Sequence, residues 1–435
     1  MTTLRIEPVT RLEGHLNVTI ELTEDGKVKD ARARVTLTRF FEKFLEGRLM
    51  EHAPRIVPRI CGICPEAHHL ASIKAVEDAW DVTPPPAAIK LRELLLQAKM
   101  ISSHIIHFYA LAAPDFVFGP FADPAVRNLV GIITHLPEEA KRAIAGMRFG
   151  QDLCATIGGK AVHPVTAIPG GQSKPILEEE RDGYLKRIDE VMNFAEFSLD
   201  LGKKITTAWL DVATKVGVLP TYYVGLTNNG VHTYFDGKVR VMDPEGKIAG
   251  DYEPRNYRDA MGEYFTDHSY TSHVFYKPAG YPQGIWRANT LARINVVDKM
   301  ETPRAQEELE VFRETLGRPC HATFAYHWAR LVELIESVEK AKILLEDPDI
   351  VSTDIKLADV SPKEGEGVGI VEAPRGTLTH NYWSDGAGLI AKANLIVATN
   401  HNLGAISLGI KQLAKNVFEK GILNELTIPE PLIKT

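Results

Sequence analysis

Arg59-Ile60-Cys61-Gly62-Ile63-Cys64-Pro65-Glu66-Ala67-His68 holds two of the chain's four cysteines, three positions apart, with a histidine four residues beyond the second. Thiolates at this spacing reach a single soft metal such as nickel, iron or zinc, or close on one another as a reactive disulfide. The residues by themselves also allow two inert buried thiols. A zinc site or an iron–sulfur cluster takes four ligands, and Cys154 and Cys320 each stand alone in the sequence. The motif is half a site, and the rest of the chain must decide what it belongs to.

With 435 residues and 44% hydrophobic side chains, the chain can bury a large core. Length predicts roughly two to three domains or one large elaborated one. The expected organisation is a single large unit over 1–435, with an N-terminal sheet over 1–40 and a strand-rich insertion over 218–290. Fifty basic against fifty-seven acidic residues, net charge −7, argue against a nucleic-acid or anionic-membrane partner. Four cysteines point to a reducing compartment. The N-terminus shows no apolar signal region, and no apolar run approaches the ~18 residues that cross a bilayer. A cytoplasmic location without direct membrane insertion is expected.

Alternation of apolar and polar residues over Leu4–Pro8, His15–Leu22 and Val28–Leu37, around the turn Glu24-Asp25-Gly26-Lys27, predicts an opening antiparallel sheet. Pro84-Pro85-Pro86 closes the segment after the cysteines, and a long amphipathic helix is predicted from about Ala88 to Ala112. Further helices are predicted near Glu178–Leu201, Thr302–Leu316, Phe324–Leu345 and Leu403–Lys420. Glycine, tyrosine, aspartate and β-branched residues dominate Val218–Trp286 and predict strands. The fold class is α+β: a mostly helical central bundle with an N-terminal antiparallel sheet and strand-rich insertions.

Thr10-Arg11-Leu12-Glu13-Gly14-His15, between the first two strands, sets a carboxylate beside a flexible glycine and a histidine. It reads as an Arg–Glu ion pair at a turn or as a proton-transfer loop. Gly158-Gly159-Lys160 with Pro169-Gly170-Gly171 lacks the Lys-Ser/Thr ending of a phosphate loop and reads as tight structural turns. Glu372-Ala373-Pro374-Arg375-Gly376 forces an extended turn. Arg375 there either aims its planar fork at a buried anion or caps a carbonyl or Glu372. His104 and His107, three apart on one helical face, read as packed core residues.

Together these motifs resemble the large subunit of nickel-iron hydrogenases, with wording closest to the multi-subunit cytoplasmic branch. The resemblance runs in order through VTRLEGH at 9–15, RFFEKFLEGR at 39–48, PRICGICPEAHH at 58–69, HFYALAAPDF at 107–116, IGGKAVHP at 157–164 with IPGG at 168–171, EAPRG at 372–376 and ANLIVATNHN at 393–402. It implies reversible oxidation of dihydrogen at a nickel-iron centre whose iron carries carbonyl and cyanide ligands. Cys61 would be a terminal nickel ligand and Cys64 a ligand bridging nickel and iron. His68 would hydrogen-bond the bridging sulfur, and Glu13 would relay protons from a nickel-bound cysteine. Glu42 would bind a structural magnesium. Arg375 would hang over the metals, Pro374 and Thr399 would line the cyanide pocket, and Asp115 would pair with Arg375.

The resemblance also implies an iron–sulfur small subunit that holds the clusters this chain lacks. Further subunits would carry electrons to NAD(P), ferredoxin, a deazaflavin or a heterodisulfide reductase. The family's second cysteine pair sits in a C-terminal Asp-Pro-Cys-x-x-Cys-x-x-His motif that residues 1–435 do not contain. A further C-terminal segment is therefore expected. The alternative is a catalytically silent or apo scaffold subunit of an electron-transfer complex, against which retention of Cys61, Cys64, Glu13 and Arg375 speaks. An independent thiol–disulfide catalyst would leave the other six motifs unexplained.

Overall fold

The computed structural model describes residues 2–37 and 40–432. Arg39, which opens the second quoted motif, lies outside the described residues, as do the last three positions of the chain.

The chain opens on an antiparallel three-stranded sheet, β1 (Thr2–Ile6), β2 (Leu16–Leu22) and β3 (Val28–Val35), in which Leu4 faces Ile20 and Ile20 faces Ala31. Its buried face covers a helix from the far end of the sequence: Leu22, Val28 and Ala31 pack on Ala414. The Thr10–His15 stretch is the loop of the first hairpin, closed at its base where Val9 N–H donates to Leu16 O at 3.0 Å. Gly14 takes φ +84 there, a conformation that disfavours any residue with a Cβ.

Two helices flank the three prolines. The first, α1 (Pro65–Trp80), carries its proline in the first turn and ends on Asp81 at φ 53. The second, α2 (Pro86–Ile106), starts on the last of the three prolines. Beyond it the backbone widens into a π-helical turn, His107–Ala112, before a short α-helical stretch over Ala113–Val117. The expected helix over 88–112 is thus present, with a π turn in its final part. Next come α3 (Pro137–Gly158) and α4 (Glu178–Ala208). The α5 helix (Tyr326–Glu346) lies along both α2 and α4, and these form the apolar centre. The last long helix is α6 (Ala398–Phe418).

Several short strands lie between Val218 and Trp286. Trp286–Arg287 pairs parallel to β4 (Tyr222–Asn228), which continues antiparallel into β5 (Lys238–Met242) and β6 (Ile248–Tyr252). A second antiparallel sheet was not anticipated: β7 (Gly365–Ala373), β8 (Gly376–Ser384) and β9 (Ile390–Ile396). The α1 helix lies directly on β7 and β8. Gly367 and Gly369 permit this approach, since a methyl group at either would run into the carbonyl oxygens of Ala75 and Ala71. The helix that follows the cysteines is thereby fixed against the strands that carry the Glu372–Gly376 turn.

The glycine-rich stretch is structural, as its sequence suggests. Ala167–Ile168 and Gly171–Gln172 form a small hairpin, and Arg92 donates to the carbonyls of Ile168 and Gly171 while doubly bonded to Glu77.

Candidate metal centre

Cys64 caps the N-terminus of α1, and Cys61 precedes it in an extended conformation. Their Cα atoms are 5.5 Å apart and their sulfurs are paired with one another. The Cys64 N–H donates to Cys61 Sγ at 3.2 Å. Cys64 is buried, while Cys61 is half-buried.

Glu13 reaches this pair from the first hairpin loop, its Oε1 4.0 Å from Cys61 Sγ. The loop is aimed by Arg11. Its Nη2 donates to both oxygens of Asp115, 2.8 Å to each, and its Nη1 donates to Leu111 O at 3.1 Å in the π-helical turn. The simple Arg11–Glu13 ion pair does not form, because Asp115 and the π turn take Arg11 instead. One expectation is corrected by the same contact. Asp115 does not pair with Arg375: its carboxylate is taken by Arg11 and, at 3.2 Å, by Arg127.

Arg375 comes from the turn between β7 and β8. Its Nη1 is buried without a hydrogen-bond partner among the described residues. Burial pushes its guanidinium below the ordinary value, and the Glu13 charge pulls it back up. It does not cap Glu372. That carboxylate accepts from Arg293 at 2.8 Å, Thr377 at 2.8 Å and the Leu226 N–H at 3.0 Å.

The backbone behind Arg375 is clamped. Arg293 also donates to Ala373 O and makes a two-point contact with Glu333, while Arg330 donates to Pro374 O at 3.3 Å. His104 completes the cluster, 3.1 Å from Glu333, which makes it the packed core histidine its position suggested. Burial alone would raise Glu333, but Arg293 holds it below the usual carboxylate range. From the other side, Asn402 donates to Arg375 O at 3.0 Å and so ties the turn to the start of α6. Thr399 sits exposed on that same first turn, and Pro374 is buried.

His68, one helical turn beyond Cys64, is buried and pushed down to about 3 by desolvation. Its Nδ1 lies 3.0 Å from His380 Nε2, leaving Nε2 as the nitrogen available to a sulfur. Glu42 lies apart from this group and accepts the Leu395 N–H at 2.8 Å. Burial raises it above its ordinary range, and the charges of Glu263 and Glu46 add to the shift. Cys154 and Cys320 are buried free thiols, and burial raises both.

Sequence reasoning missed Arg293, Glu333, Arg330 and His380. Each is joined to the cluster by a partner 40 or more residues away along the chain, and no spacing rule connects those pairs.

A family profile described as nickel-dependent hydrogenase matches residues 39–121, and one described as HoxL-like matches residues 3–37. One subunit of the F420-non-reducing vhu hydrogenase of Methanocaldococcus jannaschii is 51% identical over 414 residues, covering 95% of this chain and 99% of that one. The chain belongs to the nickel-dependent hydrogenase large-subunit family. The NAD-reducing hydrogenase HoxS subunit beta of Cupriavidus necator, another relative, is 36% identical over 95% of this chain and 88% of its own. Among solved structures, an NAD+-reducing [NiFe]-hydrogenase in the H2-reduced state superposes with a TM-score of 0.92 at 35% identity, covering 99% of this chain and 95% of that one. The Ni-Fe-Se hydrogenase from D. vulgaris Hildenborough gives 0.79 at 25% identity, covering 96% and 97%. The α+β architecture is that of hydrogenase large subunits. No helix among the described residues is long and apolar enough to cross a membrane.

Proposed function

We propose that this chain is the catalytic subunit of a nickel-iron hydrogenase, with Cys61 and Cys64 as one side of the metal centre. Adjacent thiolates suit soft nickel and iron. The two cysteines thus account for half of the four thiolates that the family implies. When bound, the centre supplies the cleavage of dihydrogen into two protons and two electrons.

The protein's own part is proton movement and charge. Glu13, beside Cys61 Sγ, receives a proton from that sulfur as a general base. Arg375 would offer a buried N–H and a positive charge to anionic ligands of the iron, and Pro374 and Thr399 would line the pocket for them. His68 supports the Cys64 sulfur. Asp115 acts through Arg11, holding the Glu13 loop in place. Glu42 would supply a carboxylate oxygen to a hard cation such as magnesium. Electrons leave to an iron–sulfur small subunit, and cytoplasmic partners accept them.

The observation that carries this reading is the meeting of Glu13, Cys61 and Arg375, which come from three distant parts of the chain. Glu13→Gln tests it in the complete hydrogenase complex. Nickel and iron content stay normal, while exchange of protons with deuterium gas falls by about 10²–10⁴-fold, the usual contribution of a positioned base. Unchanged exchange removes Glu13 from the proton path, and a native complex free of nickel and iron points to the scaffold alternative.

A further inference from the structure

Behind the cysteine motif runs a buried hydrogen-bond chain that the reaction has not yet used. His68 and Ser72 are one turn apart on α1, and His380 and Tyr382 are two apart on β8, so each pair shares a face. The two faces meet. Ser72 Oγ lies 2.9 Å from Tyr382 Oη, Tyr382 Oη lies 2.7 Å from His380 Nδ1, and His380 Nε2 lies 3.0 Å from His68 Nδ1. Ser72, His380 and Tyr382 are fully buried and His68 is 2% exposed.

A series of this kind has a direction. A neutral imidazole has one N–H and one bare nitrogen, and each hydroxyl has a single proton to give. If the protons point toward Ser72, the serine hydroxyl ends the chain, and it makes no other hydrogen bond among the described residues. A buried donor is then left unsatisfied. If they point the other way, Ser72 donates to Tyr382, Tyr382 to His380 Nδ1, and His380 Nε2–H to His68 Nδ1. Every internal donor is used, and the remaining N–H is on His68 Nε2, at the end of the chain nearest Cys64.

We infer that His380 is a positioning residue, which with Tyr382 and Ser72 holds His68 as the Nε2–H tautomer that donates to the Cys64 sulfur. The direction of the chain follows from these four residues, while the acceptor at its end rests on the reading of Cys64 as a metal-bound thiolate. Outer hydrogen bonds of this type orient a ring and set which nitrogen carries the proton.

The test is made on the full chain with its cysteines reduced and its histidine rings labelled with ¹⁵N; His68→Gln assigns the His68 signals by their loss. The expected wild-type ring is protonated at Nε2 and bare at Nδ1. His380→Leu removes the donor to Nδ1, and the two His68 nitrogens then exchange roles or average. His380→Gln restores the wild-type pattern through its side-chain amide. Should the leucine variant fail to fold, Tyr382→Phe keeps the packing, removes the proton that sets the direction, and gives the same averaging. In the assembled complex His380→Leu lowers dihydrogen exchange by about 10–100-fold, the range for lost outer-shell partners, and His380→Gln recovers most of it. A wild-type His68 protonated at Nδ1, or an unchanged His68 pattern in folded His380→Leu or Tyr382→Phe, overturns the inference. A wild-type complex without nickel defeats the reading of the centre instead, and the ring signals are read independently of it.

Discussion

The two sides of the Glu372–Gly376 turn differ in how their charges are met. Behind it, Arg293, Glu333, Glu372 and His104 are all fully buried and bonded to one another. In front of it, Glu13 stands 4.0 Å from a half-buried sulfur and Arg375 keeps a buried N–H with no partner among the described residues. A satisfied network rigidifies a backbone, whereas unfilled donors and acceptors on a rigid support are what a reacting group needs. The contrast assigns stability to one side and chemistry to the other, and mutations on the two sides should separate those properties.

The largest effect is expected behind the turn. Glu333→Gln removes the carboxylate that faces Arg293 at two points and leaves buried positive charge uncompensated. The loss is about 3–5 kcal/mol of folding stability, read as a lower denaturant midpoint at unchanged slope. A change under about 0.5 kcal/mol would mean that the clamp is not what holds the turn.

Arg375→Lys is the matching change in front. A lysine keeps a charge but loses the planar fork and its fixed N–H directions. Dihydrogen turnover should fall by about 10²–10³-fold, the scale for losing one aimed donor, while nickel stays bound and the denaturant midpoint stays put. Near-normal rates would end the role given to Arg375; a lowered midpoint would make it part of the clamp.

This division also explains what the sequence could and could not reveal. The amphipathic helices and the N-terminal sheet were legible because one face of each meets water and leaves a period. The α1 helix and the β7–β8 hairpin left none: nearly all their residues are buried, and Glu372, Thr377, Thr379, His380 and Asn381 are polar residues inside the sheet. The α3 helix was missed although its signals were present: Pro137 in the first turn, Glu138 and Glu139 beside it, and Gly159 at φ +77 past its end. Cys61, Cys64, Glu13 and Arg375 were readable only as motifs, and Asp115 was given the wrong arginine because sequence does not show which of several guanidiniums folds beside a carboxylate.

Acid should erode the scaffold through histidines buried in neutral form. His69 shows why: its Nδ1 bonds to Pro54 O at 2.6 Å and its Nε2 accepts the Ala167 N–H at 3.0 Å, so a second ring proton has no place. Burial pushes His69 and His327 down to about 4 from an ordinary 6.5. Between those values the unfolded chain binds protons that the native chain refuses. Their contribution is complete above about pH 6.5 and drains as pH falls toward 4, at up to about 1.4 kcal/mol per pH unit for each ring. Denaturant midpoints measured from pH 7 to 4 should fall accordingly, and His69→Gln should flatten that slope by one proton. An equal slope in the variant would show that His69 is protonated in the native protein.

The smallest effect on stability, and the one that best separates the two sides, is expected at Asp115. Its contacts with Arg11 and Arg127 are about one-third exposed, with side chains of 33%, 30% and 25% relative accessibility. Solvent screening limits such pairs to under about 1 kcal/mol, so Asp115→Asn should barely move the denaturant midpoint. Arg11 is nevertheless what joins the Glu13 loop to the π-helical turn. Freed from the carboxylate, Arg11 keeps only its bond to Leu111 O, and Glu13 loses its fixed place beside Cys61. Proton exchange should then slow several-fold, less than in Glu13→Gln, because a base that wanders still visits the sulfur part of the time. Exchange at the wild-type rate would show that the hairpin closed by Val9 and Leu16 holds Glu13 without help, and Asp115 would then belong to the surface rather than to either side of the turn.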